Sequence, residues 1–265
     1  MSSGNNKTAS NHPKSVKSQT LVRGLVIMEA VADDPLTIHE ISAETGISYS
    51  TAHRIISVLA EKHYLTLNSD KRYGLGSRIV ALGFSAHQQI DIVKVAHPYL
   101  KDLAEKTSDT VHFARIEDNE VMYLDKVRST RPIEISSRIG GRKPLVTTGV
   151  GKALLLDKSD QELTYYLDRS LDQLENSLDR AAWMSTMTTY RSNGYAFDFG
   201  EDEPSIRCIA VPVYDGSGGI VAAVSVSSTI EYMPESRMHE LIAEVSQTAE
   251  KISECLGGRG KARRA

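Results

Sequence analysis

The sequence has little cysteine and none of the short motifs that mark common cofactor sites. Cys208 and Cys255 are the two cysteines in 265 residues, too few for a disulfide framework or a structural zinc site. The chain lacks HExxH, CxxC, a Walker loop, GxGxxG and a nucleophile elbow. These absences predict a protein with no metal and no cofactor, and they argue against the commonest classes of enzyme.

Long hydrophobic runs are also missing. No apolar segment reaches the roughly 18 residues that cross a membrane, and the polar N-terminus lacks the hydrophobic region of a signal peptide. With 40% hydrophobic residues, the chain has enough apolar side chains for one large domain or two ordinary ones. Together with the scarcity of cysteine, this predicts a cytoplasmic protein with no membrane partner.

Acidic residues are absent from both ends of the chain, although the formal net charge is −3. Residues 1–23 and 259–264 each carry four basic side chains and no acidic one. This composition predicts a disordered basic arm over 1–17 and a basic tail over 258–265. The arm is expected to lie along nucleic-acid phosphates, whereas simple solvation is explanation enough for the tail.

Residues 37–67 read TIHEISAETGISYSTAHRIISVLAEKHYLTL, and the rest of the chain is organised around them. Apolar residues recur at helical spacing on both sides of Gly46, and glycine can take the left-handed conformation that ends a helix. A further helix is expected over 21–31. The pattern predicts a helix-turn-helix, although any two short amphipathic helices joined by a glycine turn would share it.

Ser48 is expected to begin the second helix of the pair, with its hydroxyl accepting a hydrogen bond from a free backbone N–H. The first turns then carry hydroxyl groups, aromatic rings and one arginine, which suit phosphates and base edges in the major groove. We predict contacts with bases and nearby phosphates from Ser50, Thr51 and Arg54. The full set of predicted contacts on this helix is Ser48, Tyr49, Ser50, Thr51, His53 and Arg54.

The residues that follow predict a wing. Residues 64–67 alternate like a strand, 68–71 have turn chemistry, and 72–75 form a short return strand. Lys71 and Arg72 lie at the hairpin tip, from which a basic side chain can reach a phosphate or the minor groove. With Arg23 as a further backbone contact, residues 18–76 are predicted to form a winged helix-turn-helix that binds double-stranded DNA.

A helical stretch over 77–90 is interpreted as a linker to a second domain, which covers 91–257. Helical spacing continues over 90–107, where Pro98 is expected to force a break or a new start. From residue 110 onward, alternating apolar residues indicate strands, and apolar residues at helical spacing indicate further helices. Strands are expected over 110–115, 121–127, 132–139, 206–214 and 220–228, and helices over 160–167, 178–193 and 235–256. The sequence therefore predicts an α+β fold with an antiparallel sheet, separate from the helical head.

Two segments of this second domain carry a resemblance to a known family. They are KPLVTTGVGKALLL at 143–156 and GYAFDFGEDEPSIRCIAVPVYDGSGGIVAAVSVSS at 194–228. With the winged head, they resemble the IclR family of bacterial transcriptional regulators, and the likeness runs from about residue 18 to residue 257. The resemblance implies a GAF-like effector-binding domain, joined by a linker helix to the head, and a homodimer or dimer of dimers on operator DNA.

The resemblance also implies a pocket for a small oxo acid. Family members use the backbone at a helix start, here Gly149 and Val150, where free N–H groups suit a carboxylate. An acidic residue, here Asp198, is assigned to a ligand hydroxyl or hydrate, and serines on alternate strand positions face the same way. The effector-binding residues assigned in this way are Ile135, Lys143, Gly149, Val150, Asp198, Ile206, Cys208, Ser225 and Ser227.

Several of these side chains also have an ordinary structural explanation. A lone cysteine such as Cys208, on an apolar strand, is more often a small core hydrophobe than a reactive thiol. His112 is more often a satisfied core histidine than a ligand. Lys143 and Arg142 either screen or bind an acid or belong to a solvated loop, and Asp198 is equally well explained as a loop residue.

The stretch ISSRIGGRKPL at 135–145 looks most like the branch of the family that answers to sugar-derived acids such as 2-keto-3-deoxygluconate. The resulting hypothesis is a DNA-binding regulator, expected to be a repressor, whose operator affinity is controlled by a small hydroxylated carboxylate. Two alternatives stay open at this point. One is a small-molecule enzyme, and the other is a redox sensor that uses Cys208, in each case fused to a DNA-binding head.

Overall fold

The computed structural model describes residues 18–132, 135–171 and 178–258. The predicted basic arm over 1–17 and the tail beyond residue 258 lie outside the described residues. The chain divides into two compact units, of which one ends at Gln89 and the other begins at Ile90. Among the described residues, no helix is long and apolar enough to cross a membrane.

The first unit is a helix-turn-helix with a two-stranded wing, in the order that the sequence predicts. Its elements are α1 (Gln19–Ala30), α2 (Ile38–Thr45), α3 (Tyr49–Glu61), β1 (Leu65–Leu67), β2 (Tyr73–Leu75) and α4 (Ser77–Gln89). The two strands are antiparallel. Ile27, Ile41 and Ile56 are fully buried where α1, α2 and α3 meet, so one isoleucine from each helix forms the centre of this unit.

Local hydrogen bonds explain where α2 begins and ends. The Glu40 N–H donates to Oγ1 of Thr37, and the Thr37 N–H donates to the Glu40 carboxylate in return, which makes a capping box. Gly46 ends the helix with a φ of 69°. Ser48 stands at the N-cap of α3 as predicted, but the expected bond to a backbone N–H is wrong. Its hydroxyl instead donates to Oγ1 of Thr51 at 3.0 Å, since that oxygen offers an acceptor within the same turn.

The second unit is an antiparallel sheet with helices packed on it. Its helices are α5 (Ile92–Thr107), α6 (Gly149–Leu154), α7 (Asp160–Leu171), α8 (Arg180–Asn193), α9 (Glu235–Glu240) and α10 (Ile242–Cys255). Its strands are β3 (Thr110–Glu117), β4 (Glu120–Val127), β5 (Arg142–Lys143), β6 (Ala196–Asp198), β7 (Ile206–Tyr214) and β8 (Ile220–Thr229). They lie in the order β5-β4-β3-β8-β7-β6, with antiparallel neighbours. The predicted α+β class is confirmed.

Helix α5 runs without interruption through Pro98, so the predicted break is wrong. A proline inside a helix removes one backbone hydrogen bond and costs about 3 kcal/mol. On either side of it, Ala96, Leu100 and Leu103 are fully buried in the core of the unit. Their burial offsets the cost, because each large apolar side chain removed from water contributes about 1.5–3 kcal/mol.

The predicted strand over 132–139 is also wrong in its described part, since residues 135–138 have irregular backbone. The Lys126 ammonium donates to the carbonyl oxygens of Ile135 and Ser137, at 2.6 and 2.7 Å. These carbonyls are therefore occupied by a side chain rather than by a neighbouring strand. The last predicted helix is two helices, α9 and α10, which meet at Leu241.

One carboxylate in this unit is fully buried between two arginines. The side chain of Asp109, in the turn between α5 and β3, has no exposed surface. Its two oxygens lie 3.0 Å from Nε of Arg131 and 2.6 Å from Nη2 of Arg237. Arg131 follows β4 and Arg237 lies on α9, and both are partly exposed, so this triad around a buried aspartate joins three separate parts of the chain.

Candidate functional site

The first candidate site is the outer face of α3. Ala52, Ile55 and Ile56 point into the core, whereas most of the predicted contacts face outward. Ser50 and Arg54, four residues apart, lie one above the other on the outer face. Ser48, Tyr49, Ser50, His53 and Arg54 are exposed and Thr51 is half-buried. These side chains are accessible to a major groove that receives the helix.

The imidazole ring of His39, on α2, extends this surface. The His39 ring lies 4.7 Å from that of Tyr49, and the Tyr49 ring lies 6.3 Å from that of His53, measured between centroids. No role was predicted for His39 from the sequence. Its place on this surface could have been predicted from its position in the first turn of α2, because the helix-turn-helix geometry brings that turn beside the start of α3.

The two basic residues of the wing have different surroundings. Lys71 is exposed in the turn between β1 and β2, with a φ of 59°. Arg72 instead forms a two-bond ion pair with the Glu40 carboxylate, both N–O distances being 2.9 Å, and donates to the Pro35 carbonyl oxygen. Arg72 lies in the turn before β2, and its guanidinium links the wing to the start of α2. Arg23 is exposed on α1.

The second candidate site is a cavity on one face of the six-stranded sheet. The register aligns Asp198 of β6 with Cys208 of β7, and Cys208 with Ser227 of β8. Two residues before Ser227 on β8, and therefore on the same face of the sheet, Ser225 lies opposite His112 of β3. All five side chains are buried, so neighbouring strands assemble a continuous polar surface inside the unit.

All nine residues predicted to bind an effector line this cavity, together with His112. The space open to the centre of a water molecule is about 40 Å³, which holds only a few waters. Six further residues line the cavity without having been predicted; Tyr123 lies outside the quoted motifs, and the other five lie within them at positions to which the resemblance assigned no ligand. The six are Tyr123, Ser136, Ser137, Thr148, Asp202 and Glu203.

The start of α6 forms one wall of the cavity. A side chain at Gly149 would place its Cβ 2.9 Å from Sγ of Cys208 and 3.3 Å from Cβ of Asp198, so only glycine allows the helix to approach the strands this closely. Thr148 caps the helix, since its Oγ1 accepts from the Gly151 N–H at 3.1 Å. The remaining N–H groups of the first turn have no partner within the helix and carry partial positive charge.

Two carboxylates and a buried ammonium lie beside the start of α6. Lys152 is almost fully buried and its Nζ lies 2.7 Å from Oε1 of Glu201. Burial, and after it the neighbouring Glu201 carboxylate, raise the pKa of Asp198 to about 7. Asp198 Oδ1 also accepts from the N–H groups of Gly200 and Glu201. The carboxyl of Asp198 therefore changes charge near neutral pH, whereas Glu201 stays ionised beside Lys152.

The histidine and the cysteine in the cavity are uncharged at neutral pH. Burial, with a contribution from the charge of Lys126, lowers the pKa of His112 to about 3. Burial and the neighbouring Asp198 raise the pKa of the Cys208 thiol to about 12. The His112 Nε2 lies 2.6 Å from Oγ of Ser137. No cluster of potential metal ligands occurs among the described residues.

Ion pairs cross the mouth of the cavity. Nζ of Lys143, on β5, lies 2.8 Å from Oδ2 of Asp202 and 3.8 Å from Oε1 of Glu203, in the loop between β6 and β7. The hydroxyl of Ser136 donates to the Glu203 carboxylate at 3.3 Å. β5 and β6 are the two edge strands of the sheet, so the curled sheet brings one edge close to the loop that follows the other.

Comparison with protein families gives two matches that together span most of the chain. Residues 84–254 match the family described as bacterial transcriptional regulator IclR, C-terminal, and residues 20–69 match the IclR helix-turn-helix domain. The chain is 30% identical over 259 residues to the HTH-type transcriptional regulator KdgR of Escherichia coli, which covers 95% of this chain and 97% of that one. It is 26% identical over 263 residues to the transcriptional repressor IclR of the same organism, with 96% of each chain covered.

Solved structures show the same architecture. HmgR of Pseudomonas aeruginosa superposes with a TM-score of 0.79 over 92% of this chain and 100% of that one, at 20% identity, which establishes a common fold. IclR of Thermotoga maritima is 30% identical and superposes with a TM-score of 0.59, over 90% of this chain and 98% of that one. The head and the cavity-bearing unit therefore occur together in related chains.

Proposed function

Because the chain belongs to the IclR family of bacterial transcriptional regulators, we propose that it binds operator DNA through α3 and is controlled by a small hydroxylated carboxylate held in the cavity. The observation that carries the effector half of this proposal is the convergence of all nine predicted residues on one buried cavity. Repression is the mode of control that we infer, since the relatives include a transcriptional repressor.

The DNA-binding residues divide by their position in the head. Ser50, Thr51 and Arg54 are proposed to meet bases and nearby phosphates, because residues in the N-terminal half of a recognition helix reach base edges. Ser48, Tyr49 and His53 border them on the same exposed surface. Arg23 and Lys71 are proposed to contact the phosphate backbone. We do not assign Arg72 to DNA, since Glu40 holds its guanidinium.

A sugar acid suits the cavity chemically. Hydroxyl groups from Ser225, Ser227 and Tyr123 can donate to or accept from ligand hydroxyls. The N–H groups of Gly149 and Val150, with the ammonium of Lys143, suit a carboxylate. The relative KdgR and the sequence at 135–145 favour 2-keto-3-deoxygluconate as the first compound to test.

Control of transcription requires that the effector bind one arrangement of the protein better than another. We propose a homodimer or a dimer of dimers, in which the linker helix α4 passes a change in the second unit to the spacing of two heads. A coupling free energy of about 1–3 kcal/mol, or about 5- to 150-fold in DNA affinity, would be ordinary for such a regulator. Half-sites one helical turn apart, or a multiple of that, would match the two-fold symmetry.

A mobility-shift assay tests this function. The purified protein is mixed with DNA from immediately upstream of its own coding region, with competitor DNA, and with or without 2-keto-3-deoxygluconate. We expect a specific shift that the sugar acid weakens. A specific shift that no sugar acid changes would discard the effector class and keep the regulator, whereas failure to bind this or any other genomic DNA specifically would discard the proposed function.

Effector affinity is expected to depend on pH through Asp198. A negative charge placed beside this carboxyl favours its neutral form, so a carboxylate that binds above pH 7 brings a proton with it. The affinity should be constant below about pH 7 and should fall as the pH rises further, approaching tenfold per pH unit. Calorimetry over pH 6 to 9 measures this.

The matched control for this dependence is Asp198→Asn, which keeps the shape of the side chain and cannot titrate. Its pH profile is expected to be flat. His112 and Cys208 do not contribute, because their pKa values of about 3 and about 12 lie outside the range of the experiment. A wild-type affinity that increases with pH would instead mean that a ligand hydroxyl needs the ionised carboxylate.

The cavity gives no support to a redox sensor based on Cys208. A sensor thiol reacts as the thiolate, and reactive cysteines have lowered pKa values in positively charged surroundings. Cys208 has a raised pKa and a carboxyl group beside it. The thiol is better explained as a small, neutral part of the cavity wall.

A further inference from the structure

We propose that Lys143 and Asp202 form an ion pair that closes the mouth of the cavity, and that a carboxylate effector enters by replacing Asp202 at the Lys143 ammonium. We call this the mouth ion pair. The first half follows from the geometry of the sheet, and the second half rests on the proposed function, since it requires an anionic effector. Lys143 thus pairs with Asp202 in the closed cavity and with the effector carboxylate in the occupied one.

The two partners lie on opposite edges of the sheet. Lys143 is on the edge strand β5, and Asp202 follows the other edge strand, β6. Five strand spacings separate these edges, which is about 24 Å across a flat sheet. Their side chains are nevertheless 2.8 Å apart. The mouth ion pair therefore depends both on the curl of the sheet and on the path of the loop that follows β6.

The loop 199–205 that carries Asp202 is fixed at its start and reaches across the mouth. Asp198 holds the first turn of the loop by accepting from the Gly200 and Glu201 N–H groups, and Gly200 has a φ of 100°. Further along, the loop is tied to the opposite rim by Lys143 and by the weaker Ser136 to Glu203 bond. Breaking the mouth ion pair removes the shortest of the contacts that hold the rims together.

The volume of the closed cavity requires that the mouth open. About 40 Å³ is open to the centre of a water molecule, which is enough for a few waters. A six-carbon sugar acid has about a dozen non-hydrogen atoms and fills the space of about five or six waters, at about 30 Å³ for each water, which is more than the closed cavity holds. Because Asp202 and Glu203 line the cavity and their side chains are partly exposed, displacement of their loop both admits and accommodates such a ligand.

Charge determines what can replace Asp202. Although burial opposes it, the carboxylates of Asp202 and Glu203 raise the pKa of Lys143, so its ammonium is charged at neutral pH. With Asp198, these acids make the mouth unfavourable for a free anion. A ligand carboxylate is accepted when it takes over the ammonium from Asp202, whereas a neutral sugar gains nothing from this exchange.

Labelling of Cys208 measures the opening without any effector. Its Sγ lies in the cavity wall, and Cys255 is the other cysteine of the chain. In a Cys255→Ser background, the rate of reaction with the small neutral reagent methyl methanethiosulfonate is compared with and without Lys143→Met or Asp202→Asn. Both substitutions are expected to speed labelling by about fivefold, the most that a partly exposed ion pair contributes.

The two substitutions change the local charge in opposite directions, so together they separate an electrostatic effect on the thiol from an opening of the cavity. Removing a positive charge near Cys208 disfavours its thiolate and removing a negative charge favours it, so a purely electrostatic effect would move the two rates in opposite directions. Two increased rates support the closing role of the mouth ion pair. Opposite changes, or rates equal to the parent, would overturn it. Unchanged thermal unfolding in both variants shows that the labelling reports local opening.

Calorimetry with 2-keto-3-deoxygluconate tests the exchange. Asp202→Asn is expected to bind the acid about fivefold more tightly than the parent, and Lys143→Met at least tenfold more weakly. The neutral 2-deoxyglucose serves as the control ligand and should show neither change. If Asp202→Asn binds no better than the parent, the exchange is refuted. If the parent binds no sugar acid, the proposed effector class fails, and the labelling rates still decide whether the mouth ion pair closes the cavity.

Discussion

Replacement of Asp109 by asparagine is expected to lower the free energy of unfolding by about 3–5 kcal/mol, the usual cost of removing one partner from a buried ion pair. The side chain has no exposed surface, and its two oxygens face Arg131 and Arg237. An amide has nearly the same shape but carries no charge, and it turns an N–H₂ group toward one of the guanidinium groups. Two partly buried cations are then left with no counter-charge between them.

Urea denaturation of the full chain, followed by circular dichroism, measures this loss. The matched control is Asp118→Asn, the same chemical change at an ion pair with Arg142 where the aspartate is 78% exposed. Exposed pairs contribute about 0–1 kcal/mol, so this variant should unfold almost as the parent does. Equal losses in the two variants would show that the triad around Asp109 contributes no more than a surface pair.

Replacement of Arg54 by alanine is expected to reduce specific DNA binding by about 5- to 150-fold, or about 1–3 kcal/mol, if the guanidinium pairs with a guanine. Arg54 is exposed on the outer face of α3, directly above Ser50. A guanidinium can give two parallel hydrogen bonds to a guanine edge, and a wrong base loses both. The loss should therefore appear on the operator and be small on random DNA.

Fluorescence anisotropy on operator and random duplexes at several salt concentrations separates base contacts from phosphate contacts. Lys71→Ala is the comparison variant, because Lys71 is exposed at the wing and is proposed to contact a phosphate. It should weaken binding to both duplexes by a similar factor and reduce the salt dependence by about one ion. If Arg54→Ala behaves in the same way, Arg54 is a phosphate contact and the base assignment is wrong.

The sequence was informative where hydrophobic spacing and local chemistry agree. Helix α3 is an example, because Ala52, Ile55 and Ile56 define its buried face and thereby its exposed one. Gly46 and Gly194 end helices in left-handed conformations, as their positions after apolar runs indicate. Resemblance supplied the cavity residues, since no spacing rule connects Gly149 with Cys208.

Secondary structure predicted from hydrophobic spacing was wrong where a contact from elsewhere in the chain decides the local structure. Pro98 stays inside α5 because the core covers both of its flanks, and Lys126 occupies carbonyls of the segment expected to be a strand. The strand β6 has three buried residues in a row and thus no alternation to recognise. Asp202 and Lys143 are 59 positions apart, so their meeting becomes visible only when the sheet is seen to curl.

The pairing of distant strands in the sheet also limits the order in which the two units can acquire their structure during synthesis. All elements of the head lie before residue 90, and their contacts join nearby segments. The centre of the sheet instead pairs β3 with β8, which brings Thr110 opposite Ser227. Such distant pairing forms slowly and only after the last strand has left the ribosome. A nascent chain can therefore carry a folded DNA-binding head well before the cavity that is proposed to regulate it exists.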